Sequence, residues 1–185
     1  MSSPEEDLRE YYAKLGDSPA LEPVKKAVVK IMDNIFKHGM TPKDALNMSE
    51  DTMESFYTEG YRLYQSGRYD DAIKMFRFLG MLDPTRVRYW LGMAACMHQK
   101  KCYPEAAMLY QLCGMADPTD PIPYFYMGDC YQNMGLKGAS KQCLMLCIEH
   151  CAGRDKYVQI HDRAKLMLQE MQPTNTSKTE KQAPS

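Results

Sequence analysis

Residues 53–86 read MESFYTEGYRLYQSGRYDDAIKMFRFLGMLDPTR, and the two following stretches of equal length, 87–120 and 121–154, lie over them column by column. Phe56, Trp90 and Tyr124 share one column, Gly60, Ala94 and Gly128 a second, and Leu63, Met97 and Tyr131 a third. Further along, Tyr69 stands over Tyr103, Ala72 over Ala106, Phe76 over Tyr110 and Leu144, and Asp83-Pro84 over Asp117-Pro118. A period of 34 with these residue types is the tetratricopeptide pattern, one helix–turn–helix to each repeat. A single helix pair leaves an apolar face it cannot cover, so neighbouring pairs stack into a curved array. The spacing therefore predicts an all-α superhelix of three helix pairs, 53–86, 87–120 and 121–154. The turns inside the pairs are expected near Ser66-Gly67, Lys100-Lys101 and Met134-Gly135.

The flanks read as further helices. Within the N-terminal region, 1–52, residues 5–15 suggest a short polar helix that Gly16 to Pro19 interrupts. In 20–38 the residues Leu21, Val24, Val28, Ile31 and Ile35 recur every three or four positions, with Lys25, Lys26, Lys30 and Lys37 on the other side. Gly39 is placed to end that helix. Thr41-Pro42 signals another short helix, and Ser49 followed by Glu50 and Asp51 signals the N-cap of the first repeat. Behind the repeats, 155–172 carries Tyr157, Ile160, Ala164, Met167, Leu168 and Met171 on one side and suits a capping helix. The third repeat departs from the pattern, with Lys137 in place of the tyrosine and Ser140 in place of the alanine, as terminal repeats often do. Residues 173–185 hold no large apolar side chain and are expected to be a disordered tail.

Composition narrows the function. Of 185 residues 44% are hydrophobic and 25% charged, which suits one soluble domain. A net charge of −1 offers no electrostatic footprint for nucleic acid or an anionic membrane. No apolar run approaches the roughly 18 residues a membrane span needs, and the acidic N-terminus lacks the build of a secretory signal. A cytosolic protein is expected. The seven cysteines fall on or near predicted helices and read as reduced apolar fillers. Cys143, Cys147 and Cys151 recur every four residues beside His150, but no second distant pair answers them, so a zinc site is not favoured. Phosphate loops, nucleophile elbows and paired catalytic carboxylates are missing from the sequence, and neither an enzyme nor a cofactor is expected.

Binding is expected instead on the positions of each first helix that the repeat core does not use. These include Tyr57, Tyr61 and Tyr64 in repeat one, Arg88, Leu91, Ala95 and His98 in repeat two, and Phe125, Asp129 and Gln132 in repeat three. The three tyrosines form a stripe at spacings of four and three. One reading packs that stripe against the 20–38 helix. The other leaves it as a row of rings that grip apolar side chains while their hydroxyls stay wet. In the second reading the groove takes an extended, partly apolar peptide.

The run Ser49 to Ala72, the run Phe76 to Asp83, and the segments Tyr89-Trp90-Leu91-Gly92 and Tyr124-Phe125-Tyr126-Met127-Gly128 resemble the class II chaperones of bacterial type III secretion. The resemblance covers about residues 25–172. It implies a chaperone that holds hydrophobic translocator proteins by an extended, proline- and leucine-containing segment in the concave groove, with Tyr57, Tyr61 and Tyr64 at the contacting positions. It also implies a homodimer through the N-terminal helix, here Val24, Val28, Ile31 and Ile35. A general tetratricopeptide scaffold or co-chaperone is the alternative. Tetratricopeptide domains that clamp an acidic C-terminus place lysine and asparagine where this chain has Tyr57 and Tyr61.

Overall fold

The computed structural model describes residue 10 and residues 22–171; the rest of the expected helix at 5–15 and the expected tail at 173–185 lie outside the described residues. The described elements are α1 (Glu22–His38), α2 (Pro42–Ala45), α3 (Glu50–Gln65), α4 (Tyr69–Leu82), α5 (Val87–Gln99), α6 (Tyr103–Ala116), α7 (Pro121–Asn133), α8 (Lys137–Cys151), a 3-10 turn (Asp155–Tyr157) and α9 (Val158–Glu170). Among the described residues there is no strand, so the fold is all-α, as the 34-residue period requires. Two compact units divide the chain, Met1–Gly92 and Met93–Ser185.

Local chemistry sets the ends of the helices. The Thr41 hydroxyl oxygen accepts from Asp44 N–H at 3.2 Å to start α2, and Ser49 accepts from Thr52 N–H at 3.1 Å to start α3. Pro104, Pro121 and Pro123 sit in first turns, where a missing N–H leaves no hydrogen bond unmade. The hairpin turns share one geometry: a left-handed residue follows the first helix of each pair, at Gly67 (φ 75°), Lys101 (φ 61°) and Gly135 (φ 76°). In each, that residue's N–H and the next one bond back to the helix end, as in Lys101 to His98 and Cys102 to Met97, both at 2.9 Å.

In the first unit the core comprises Met53, Leu63, Ala72, Ile73, Phe76, Leu79, Leu82 and Tyr89. Phe76 is a wedge. A methyl group placed on Gly60 would stand 3.1 Å from its ring, and one on Gly92 only 2.7 Å, so two small residues admit it. Trp90 closes on Gly80 in the same way, and its indole Nε1–H donates to the Pro84 carbonyl at 3.0 Å. Beside this core a charged network ties three segments together. Buried Lys43 of α2 pairs with Glu50 of α3, and Glu50 also accepts from Arg86 at 2.9 Å. Arg86 in turn reaches Asp83 at 3.2 Å.

The second unit repeats these devices one period later. Tyr124 lies over Gly114, and its hydroxyl donates to the Pro118 carbonyl at 3.3 Å, matching Trp90 and Pro84. Asp117 accepts from Thr119 N–H at 3.0 Å and from its hydroxyl at 2.8 Å, as Asp83 does from Thr85. Ser140, the departure from the alanine column, is fully buried and donates to the Gly128 carbonyl at 2.7 Å, so its hydroxyl is satisfied. Phe125, Leu144, Cys147, Cys151 and Ala164 form the core under α9, with Tyr157, Ile160, Met167, Leu168 and Met171 against it.

All seven cysteines are unbridged, and six are buried. Burial raises the thiols of Cys96, Cys113 and Cys130 to about 12 and raises that of Cys147 further still. They serve as uncharged filler. Among the described residues no group of three or more His, Cys, Asp or Glu could hold a metal ion. Nor is any described helix long and apolar enough to cross a membrane.

Candidate functional site

In the first unit, α3 carries the tyrosine stripe, and its surroundings fix each ring differently. Tyr57 is half-buried, 5.8 Å from the Phe76 ring and 6.0 Å from that of Tyr89. The Arg88 guanidinium lies 4.4 Å above the Tyr57 ring, and its Nη2 donates to Glu54 at 2.5 Å. Burial raises the Tyr57 hydroxyl above the ordinary tyrosine range against the opposing pull of Arg88, so the ring stays neutral. Tyr64 is half-buried and packs 5.8 Å from Tyr69, while Tyr61 stacks on Tyr64 at 6.2 Å and remains 48% exposed. The stripe is neither sealed into the core nor free. It is a supported aromatic shelf with its middle ring open. Leu91, on the next first helix, is half-buried.

The second unit gathers a polar set. His98 of α5 meets Asp129 of α7, Nε2 to Oδ2 at 2.6 Å, inside a box of Tyr103, Tyr110 and Tyr126. Asn133 donates to the Asp129 main-chain carbonyl at 2.9 Å and lies 3.4 Å from its carboxylate. Gln132 and Ala95 are half-buried.

Phe125 corrects the reading from spacing. It is only 2% exposed, with Arg163 of α9 5.0 Å above its ring, and so belongs to the core rather than to an open wall. The correction follows from α9, which covers the position at the end of the repeats.

Tyr126 was missed by the repeat pattern. Its column holds Thr58 and Gly92, so nothing marks it as aromatic. The reason is local: Tyr126 stacks on Tyr110 at 5.4 Å, whereas Gly92 makes room for Phe76, the residue one period before Tyr110.

On α1 every residue with a described side chain is exposed or half-exposed. Val24 is 55% exposed, Phe36 is also exposed, and Val28, Ile31 and Ile35 are half-buried. The apolar stripe expected there is present, and much of it faces outward.

A family model described as tetratricopeptide repeat matches residues 53–85. Low calcium response locus protein H of Yersinia pestis is 29% identical over 138 residues, which cover 75% of this chain and 82% of that protein. The Yersinia enterocolitica type III secretion translocator chaperone SycD, solved in an alternative dimer, superposes with a TM-score of 0.65 at 30% identity over 66% of this chain and 93% of that one. PcrH of Pseudomonas aeruginosa, solved in complex with the chaperone-binding region of PopB, gives a TM-score of 0.64 at 31% identity over 65% of this chain and 98% of that one. Nearly the whole length of two such chaperones is thus matched in sequence and in helical architecture, and the chain belongs to the class II translocator chaperones of type III secretion.

Proposed function

We propose that the chain is a cytoplasmic chaperone without catalytic activity, which binds an extended segment of a hydrophobic translocator protein and keeps it soluble until export. The aromatic shelf of α3 carries the reading. A shelf with an open Tyr61 ring between supported Tyr57 and Tyr64 rings takes apolar side chains such as leucine and proline at little entropic cost, since the rings are already packed. Each large apolar side chain buried there contributes about 1.5–3 kcal/mol, so two or three anchors give an affinity around micromolar. The three repeats act as the scaffold, and the α1 stripe of Val24, Val28, Ile31 and Ile35 joins two copies.

The test is Tyr61→Ala, at the ring that contributes least to the core. Affinity for a translocator, measured by calorimetry, is expected to fall about 5- to 30-fold, or about 1–2 kcal/mol, with the thermal midpoint unchanged. Undiminished binding by Tyr61→Ala, and by Tyr57→Ala and Tyr64→Ala where these fold, removes the shelf as the contact site.

A further inference from the structure

Three columns of the repeat alignment supply most of the expected binding face, and their chemistry changes from one repeat to the next. They hold Tyr57, Leu91 and Phe125; Tyr61, Ala95 and Asp129; and Tyr64, His98 and Gln132. Repeat one fills them with three aromatic rings. Repeat three instead places a carboxylate, Asp129, in the column of Tyr61, the open ring of the shelf. Charged residues are depleted from the centre of protein interfaces, so one kept at such a position calls for an opposite charge in the ligand.

Asp129 is held ready for that partner, and every group that holds it lies in the second unit. His98 engages Oδ2 at 2.6 Å and is itself fixed by the rings of Tyr103, Tyr110 and Tyr126, with centroids 5.6, 6.5 and 5.9 Å away. The Asn133 amide gives its shorter bond, 2.9 Å, to the Asp129 main-chain carbonyl and stands 3.4 Å from Oδ1. A carboxylate offers about four lone-pair sites, so Oδ1 keeps capacity for a further donor. The Asp129 side chain is 30% exposed and open to a ligand, while His98 behind it is 16% exposed. Among the described residues no lysine or arginine pairs with Asp129. A carboxylate backed in this way attracts a cation more strongly than one surrounded by water, because the effective dielectric is lower.

We propose that Asp129 receives a lysine or arginine side chain of the bound translocator segment, at a site built within the second unit alone. The assignment rests on the peptide-binding function above and adds a requirement to it. A client segment carries a basic residue for Asp129 as well as apolar anchors for the tyrosine shelf. Apolar segments that lack the basic residue are held less tightly, which separates clients from other hydrophobic chains.

The experiment uses the full chain and 15-residue peptides tiled across a hydrophobic translocator of the same genome, the tightest of which serves as probe. Each lysine or arginine of the probe is replaced in turn by methionine, which keeps most of the length and removes the charge. One such replacement is expected to weaken binding to the natural chain about five- to tenfold. Asp129→Asn, which keeps an acceptor for His98, is expected to weaken the unaltered probe by the same factor and to make that replacement cost nothing further. Asp129→Ser carries the same cycle if the asparagine variant fails to fold. Raising the salt from about 0.05 to about 0.5 M is expected to weaken the probe more on the natural chain than on either variant. The assignment is overturned by a probe without lysine or arginine, by variant affinities within twofold of the natural chain, or by losses from replacement and variant that add in full. Full addition would mean that Asp129 meets the peptide main chain or acts only on the fold. If no tiled peptide binds the natural chain, the peptide-binding function itself falls, and this assignment with it.

Discussion

Lys101 shows how one residue can break a local rule that its neighbours obey. The left-handed turn position is glycine in the first and third repeats, where no Cβ opposes a positive φ, and lysine in the second at φ 61°. A left-handed conformation costs a residue with a Cβ roughly 1–2 kcal/mol. Lys101→Gly is therefore expected to stabilise the chain by about 0.5–1 kcal/mol, after the greater freedom of unfolded glycine is subtracted. Urea denaturation at fixed m-value reads the change, and a lowered midpoint refutes it. Turn positions of this kind are legible from spacing alone. The pairing of His98 with Asp129 was not, because hydrogen-bond partners depend on rotamers that no period encodes.

Between helices, contact is decided by which side of each pair carries the bulk. Phe76 enters α3 and α5 through Gly60 and Gly92, and a Cβ on Gly92 would come within 2.7 Å of the ring. Gly92→Ala is expected to destabilise by about 1–3 kcal/mol through overpacking, despite alanine's better helix propensity. Gly138→Ala is the control, since a Cβ there meets nothing within 4 Å, and it is expected to stabilise α8 by about 0.5–1 kcal/mol. Paired denaturation curves compare the two; equal effects would remove the wedge as the cause. At this scale the columns of Gly60 with Phe76 and of Gly128 with Leu144 could be read in advance. Phe125 could not, because α9 covers it and the repeat pattern stops short of α9. Tyr126 could not, because its neighbour Tyr110 satisfies the same space with a stacked ring that Phe76 fills alone.

Taken whole, the molecule should respond to two perturbations. Glutamate at Val28 and Ile35 places charge on the α1 stripe and is expected to yield a folded monomer by light scattering; an unchanged dimer mass would rule out that interface. Alkaline pH is the second. Buried thiols of Cys96, Cys113 and Cys130, with values raised to about 12, stay protonated where unfolded thiols ionise near 8.5. Their contribution is complete below that lower value and is lost as pH climbs from it toward 12, because the unfolded chain releases protons first. The denaturation midpoint is expected to fall between pH 8.5 and 10.5, and less steeply in Cys96→Ala with Cys130→Ala; identical slopes would exclude the thiols as the source.

The Asp-Pro-Thr junctions at 83–85 and 117–119 have a practical corollary. Each begins with the same carboxylate-to-threonine knot, and the aromatic that locks each one, Trp90 or Tyr124, comes from the segment downstream. A duplicate of residues 87–120 spliced in after Asp120 would thus meet compatible ends on either side. The natural chain is in this sense modular in sequence, with a length that can be edited in steps of one period.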